Sequence, residues 1–133
     1  MIEINNLSRT EIPLKKIEII IKRFLQVYKK ENKNISIAFV GDKRMQKLNQ
    51  QYRNINKITD VLSFAGEGDD LGELVLNYQQ IKRQYKRFSQ NISEELVFIL
   101  VHGLLHLLEY KDDTKKGKEE MNKLGKEFIE KYV

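Results

Sequence analysis

The chain has 133 residues, the size of one ordinary domain, and its 41% apolar and 32% charged residues suit a buried core under a water-facing surface, which excludes a wholly disordered or membrane-embedded chain. Its 24 lysines and arginines against 19 aspartates and glutamates leave a formal charge of +5, which favours a polyanionic partner. There is no cysteine, so disulfides, a thiolate nucleophile and a cysteine zinc ribbon are excluded, and any transition-metal site must use His, Asp or Glu.

The stretch Met1 to Asn6 lacks a basic flank followed by a signal-like apolar segment, and the longest wholly apolar run, Leu96 to Val101, is far too short to span a bilayer. A cytoplasmic protein with no membrane partner is expected. After an opening strand, Pro13 starts a helix, where its missing N–H costs nothing, and from Leu14 to Lys30 the residues Ile17, Ile20, Ile21, Phe24, Leu25 and Tyr28 recur at helical spacing. Ile35 to Val40 alternates as a strand and closes on Gly41-Asp42, with Asp42 as the expected cap of a helix through Met45, Leu48 and Tyr52. Thr59 to Phe64 and Leu71 to Leu76 read as strands that pair antiparallel over the loop Gly66 to Asp70.

A basic helix is expected from Tyr78 to Phe88. From Asn91 to Leu108 the chain is apolar almost all round, as a central buried helix must be, with Asn91 or Ser93 as its cap and Glu94 and Glu95 favourable in the first turn. A last helix from about Gly117 carries Met121, Leu124, Phe128 and Tyr132 on one stripe. The order β, α, β, α, β, β, α, α, α predicts a single α+β domain over 1–133, with a small mixed sheet of about four strands, a buried central helix and several packing helices, zincin-like in outline.

The only histidines, His102 and His106, lie one turn apart in the most apolar helix, so both imidazoles can converge on one ion. Two buried histidines hydrogen-bonded to neighbours are the alternative. A catalytic metal wants a third protein ligand, and Asp112, just past the expected helix end, supplies it at the ligand spacing of the metzincin pattern, with Asp113 as runner-up and helix capping as the structural role for either. Gly103 stands where zinc peptidases keep a general-base Glu, which speaks against peptide hydrolysis. A glycine inside a helix costs about 1 kcal/mol relative to alanine, so a close approach or an open space is expected there.

The stretch His102-Gly103-Leu104-Leu105-His106-Leu107, with Tyr110, resembles the H-G-x-L-H-L-x-G-Y-D-H signature of the YbeY endoribonuclease and rRNA maturation factor family. Thr59 to Phe64 is similar to that family's T-D-V-L-S-F block, Leu71 to Leu76 to its L-G-D-I-V-I strand, and Leu48-Asn49 with Tyr52-Arg53 to its L-N-x-x-Y-R segment. The resemblance implies a metal-dependent hydrolase of single-stranded RNA, acting in rRNA processing and ribosome quality control on rRNA precursors of the small subunit, with one zinc ion per chain and no nucleotide cofactor. It implies His102 and His106 as zinc ligands, His102 also catalytic. The family's third histidine is Asp112 here, its Asp is Lys111 and its glycine is Glu109. A carboxylate oxygen is an acceptable zinc ligand, but it lowers the positive charge of the site.

Arg53 matches a functional arginine of the family, and its guanidinium suits the charge that builds on phosphoryl oxygens. Lys82, Arg83, Lys86 and Arg87, interleaved with Tyr85 and Phe88, form a candidate RNA-binding run, with a solvated helix face as the plainer reading. Ser63 offers a hydrogen bond to a phosphate. The competing functions are a zinc peptidase-like hydrolase and a noncatalytic ribosome-associated RNA-binding module.

Overall fold

A computed structural model describes all 133 residues. The elements in chain order are β1 (Ile2–Asn6), α1 (Leu14–Val27), β2 (Asn34–Phe39), α2 (Asp42–Arg53), β3 (Val61–Ala65), β4 (Asp70–Leu76), α3 (Tyr78–Phe88), α4 (Ile92–Leu107) and α5 (Lys115–Tyr132). The four strands form one mixed sheet in the order β1-β2-β4-β3, in which β1 and β4 lie parallel to β2 and β3 closes one edge antiparallel to β4. This is the α+β architecture expected from the sequence. No helix is long and apolar enough to cross a membrane.

Alternation along the strands assigns side chains to two unequal layers. Ile35, Ile37 and Phe39 of β2 with Leu74 and Leu76 of β4 enter the main core, under α1, α4 and α5, whereas Val75 and Leu62 point to the opposite face and meet Met45 of α2. Helix α4 is the centre of the main layer, packed on β3, β4, α3 and α5. Its expected close approach is at Gly103, where an added Cβ would sit 3.1 Å from Leu74 and 3.3 Å from Val61. The glycine lets the helix axis settle on the sheet, and a glutamate there would be driven into Leu74 rather than into the cleft.

Several boundaries move for local reasons. The first helix stops at Val27 and not at Lys30, because Lys29 turns to φ 57° and the Lys30 N–H bonds back to the Leu25 carbonyl. Strand β3 begins at Val61, two residues after Thr59, and α5 begins at Lys115, where the Thr114 hydroxyl accepts the Gly117 N–H. Asn91, not Ser93, caps α4 by accepting the Glu94 N–H. Asp42 does not cap α2: it is already the first helical residue, with Gly41 at the cap, and its carboxylate instead accepts hydrogen bonds from Asn77 and Arg83.

Candidate metal centre

The last turns of α4 carry His102 and His106, and the way the helix ends decides what faces them. Glu109 takes a left-handed φ of 72°, its N–H bonds to the His106 carbonyl, and the Tyr110 N–H bonds to the Leu105 carbonyl. This is the paired bonding of a Schellman turn, here made with a glutamate in the position that glycine normally fills. The chain therefore reverses at Glu109 and leads Asp112 back over the imidazoles. Beyond it, Gly117 approaches the Lys111 carbonyl too closely to admit a Cβ, so the first turn of α5 holds the returning segment in place.

Nε2 of His102 lies 3.3 Å and Nε2 of His106 3.5 Å from the same oxygen, Oδ2 of Asp112. One candidate ligand atom from each of the three residues lies within 4.8 Å of the others. Zinc bonds of about 2.0–2.2 Å at tetrahedral angles put neighbouring ligand atoms about 3.3–3.6 Å apart, so the His–Asp edges already have the spacing of a zinc site. The side chains keep 20%, 28% and 40% of their surface exposed, in the order His102, His106, Asp112, which leaves a coordination position reachable from solvent. Two imidazoles and one carboxylate thus fit a divalent transition metal.

Electrostatics favours the ligand forms. Burial, and after it the charge of His106, pushes His102 below the usual histidine value despite the opposing pull of Asp112 and Asp60, so its imidazole is neutral at pH 7. Burial alone would raise the Asp112 carboxyl, yet His106 and then His102 together hold it below the usual carboxylate value. Asp112, not Asp113, is the acid beside the two rings.

The three residues lie at the wall of an open cleft of about 610 Å³. Phe98, one turn before His102, stacks on its ring at 6.0 Å between centroids, and Arg53, Tyr52 and the segment Thr59 to Phe64 complete the lining with Ile99. Arg53 ends α2, where its charge suits the helix C-terminus; the following Asn54 adopts φ 58°, and buried Asn49 donates from Nδ2 to the Lys57 carbonyl, fixing the loop beyond. β3 is an edge strand: the Asn77 N–H donates to the Asp60 carbonyl and the Gly66 N–H to the Leu71 carbonyl, so the alternation turns the N–H and C=O groups of Val61, Ser63 and Ala65 away from β4. Ser63 lines the cleft as well.

The basic run of α3 is placed differently, since none of its residues lines the cleft. Arg83 is held by Asp42 in a two-pronged ion pair with distances of 2.7 and 3.0 Å, and it also bonds Gln80. Lys82 lies over the Tyr78 ring, and Lys86 and Arg87 are exposed. Sequence reasoning placed the segment Thr59 to Phe64 at the cleft but missed Phe98 and Ile99 of α4. Phe98 had only its helical spacing to His102 to mark it. Asp60 lines the cleft and accepts a hydrogen bond from Gln84, whose amide also reaches buried Glu95; no local pattern marks such a three-element contact.

A helix-borne histidine pair and a returning carboxylate, set beside an edge strand in a four-stranded α+β fold, form a group that could hold a metal ion. The chain belongs to the endoribonuclease YbeY family, whose model matches residues 3–133. The endoribonuclease YbeY of Limosilactobacillus reuteri (strain DSM 20016) is 32% identical, the match covering 98% of this chain and 96% of that protein. That of Acholeplasma laidlawii (strain PG-8A) is 36% identical over 77% of each chain. The solution structure of TM1509 from Thermotoga maritima superposes with a TM-score of 0.72 at 25% identity, covering 98% of this chain and 87% of that one.

Proposed function

We propose that residues 1–133 form one metal-dependent endoribonuclease unit that hydrolyses phosphodiester links of single-stranded RNA, acting in the cytoplasm on rRNA precursors of the small ribosomal subunit. The observation that carries this reading is the convergence of His102, His106 and Asp112 on one point of a cleft that also holds Arg53. Membership of a family whose relatives are named endoribonucleases supports the substrate class.

In this reading His102, His106 and Asp112 hold a single zinc ion, which when bound supplies Lewis acidity to a water molecule or a phosphoryl oxygen. The neutral imidazole of His102 keeps a nitrogen lone pair available at pH 7. Asp112 carries a full negative charge into the site, so the centre is less positive than three imidazoles would make it. The Arg53 guanidinium meets the negative charge that accumulates on the phosphoryl oxygens, and Tyr52 and Phe98 offer ring faces to adjacent bases. Lys86 and Arg87 lengthen the basic surface available to the RNA backbone, with Lys82 and Arg83 behind them.

The deciding experiment is metal analysis of protein purified without chelator, followed by cleavage of a single-stranded RNA before and after chelation and after zinc is restored. About one zinc per chain and cleavage lost and regained with it are expected. RNA binding without metal or cleavage would leave a noncatalytic binding module instead, and cleavage of unstructured protein would favour a peptidase.

A further inference from the structure

The sheet face beneath α2 has a second cavity of about 380 Å³, and two of its walls belong to the metal cleft as well. Tyr52 and Phe64, with ring centroids 5.1 Å apart and planes crossed at 69°, line both spaces. The floor is apolar apart from the exposed carboxylate of Glu73, with small Ala38 in its lining and Arg44 the cation that faces the same space. Arg44, Leu48 and Tyr52 follow one another at successive turns of α2, so a cation, an aliphatic side chain and a ring border the same opening. Arg44 is exposed and takes part in none of the ion pairs of the chain.

Resting on the endoribonuclease reading, we propose that this groove is a base-binding subsite, which takes the nucleobase of an RNA nucleotide neighbouring the link that is cut. The cleft and the groove share the Tyr52–Phe64 pair as a common wall, so a strand bound at the metal centre has the groove one ring pair away. A base is the flat apolar group such a strand carries, and the phosphate beside it is the anion that free Arg44 can meet. A paired base is stacked inside its duplex and cannot enter. The groove therefore selects unpaired RNA by shape, while the metal centre acts on the backbone alone.

Binding of a labelled single-stranded oligoribonucleotide to the zinc-loaded protein, with an abasic nucleotide walked along the strand, tests this directly. One abasic position near the cut is expected to weaken binding by about five- to a hundredfold, the scale of one lost base–aromatic contact. Ala38 lines the groove and not the cleft, and Ala38→Leu fills the groove from its floor; it is expected to weaken binding of intact RNA comparably, to abolish the sensitivity to that abasic position and to leave zinc content unchanged. Should Ala38→Leu not fold, Arg44→Ala is expected to lower the salt dependence of binding by about one phosphate contact. The proposal is overturned if RNA is bound and cut but no abasic position matters, if folded Ala38→Leu binds like the parent, or if sedimentation finds a second copy of the chain seated in the groove. Absence of any binding or cleavage of RNA by the parent protein would instead overturn the endoribonuclease reading itself.

Discussion

The two faces of the sheet are built to different depths. On one face α1, α4 and α5 bury 22 residues in a continuous core, and the histidines stand at the margin of that core on its most buried helix. On the other, α2 covers four buried residues, and it ends in exposed Arg53, Tyr52 and the loop that follows. The thick layer holds the two histidines of the candidate metal group on a closely packed helix. The thin layer presents Tyr52 and Arg53 to the same cleft from an exposed helix end. Close packing makes a helix hard to displace, whereas exposed side chains at a helix end can adjust to a substrate.

The largest expected effect breaks the thick side. His106→Ala removes one of three donors, and loss of bound zinc with at least about a 100-fold fall in RNA cleavage is expected, since even indirect damage to metal sites costs 10–100-fold. Metal content and single-turnover cleavage measure it; a variant that keeps both would place the ion elsewhere. On the thin side, Arg53→Ala is expected to lower cleavage by about 100-fold, the scale of one lost charge-stabilising donor, with zinc content and melting temperature unchanged. Unaltered cleavage would reduce Arg53 to a helix-end cation.

Smaller effects concern the joints between the layers. Asp42→Asn, which weakens the link between α2 and α3, is expected to cost about 0.5–1 kcal/mol at neutral pH, a value kept low because both partners are partly exposed. The hydrogen bonds of Arg83, foremost, hold the Asp42 carboxyl below its usual value in the folded protein. Its contribution is therefore present above the unfolded-state pKa of about 3.9 and is lost as pH falls through the lower folded value. Denaturant titrations of the parent and Asp42→Asn should thus converge in acid, and a gap that widens there contradicts the assignment. Smallest is Glu109→Gly, expected to stabilise by about 0.5 kcal/mol, because glycine relieves the left-handed strain but has more chain entropy to lose. Destabilisation would mean that the glutamate side chain holds the turn together.

Much of this architecture is legible in the sequence because it rests on short-range periodicity. The order of elements, the β3–β4 hairpin and the nearly all-apolar α4 follow from spacings of two and of three to four residues. The histidine pair follows as well, since residues four apart share a helix face by geometry. Asp42 was misread because a capping residue and a first-turn residue look alike in sequence, and its partner Arg83 is 41 residues away. Phe98 and the link from Asp60 through Gln84 to Glu95 gave no comparable signal, as a cleft wall is assembled from segments that no local pattern connects.

The sequence by itself determined which donors exist, two imidazoles on one helix turn with acids downstream, and that cysteine chemistry is absent. Only the tertiary structure decided that Asp112 and not Asp113 is the acid beside them, that Gly103 serves packing against Leu74, and that Arg83 is taken up by Asp42 while Arg53 faces the cleft. The physical reason is range. Backbone periodicity acts between neighbours a few residues apart, whereas coordination, ion pairing and cavity shape depend on distances of a few ångströms between segments brought together by burial of the core.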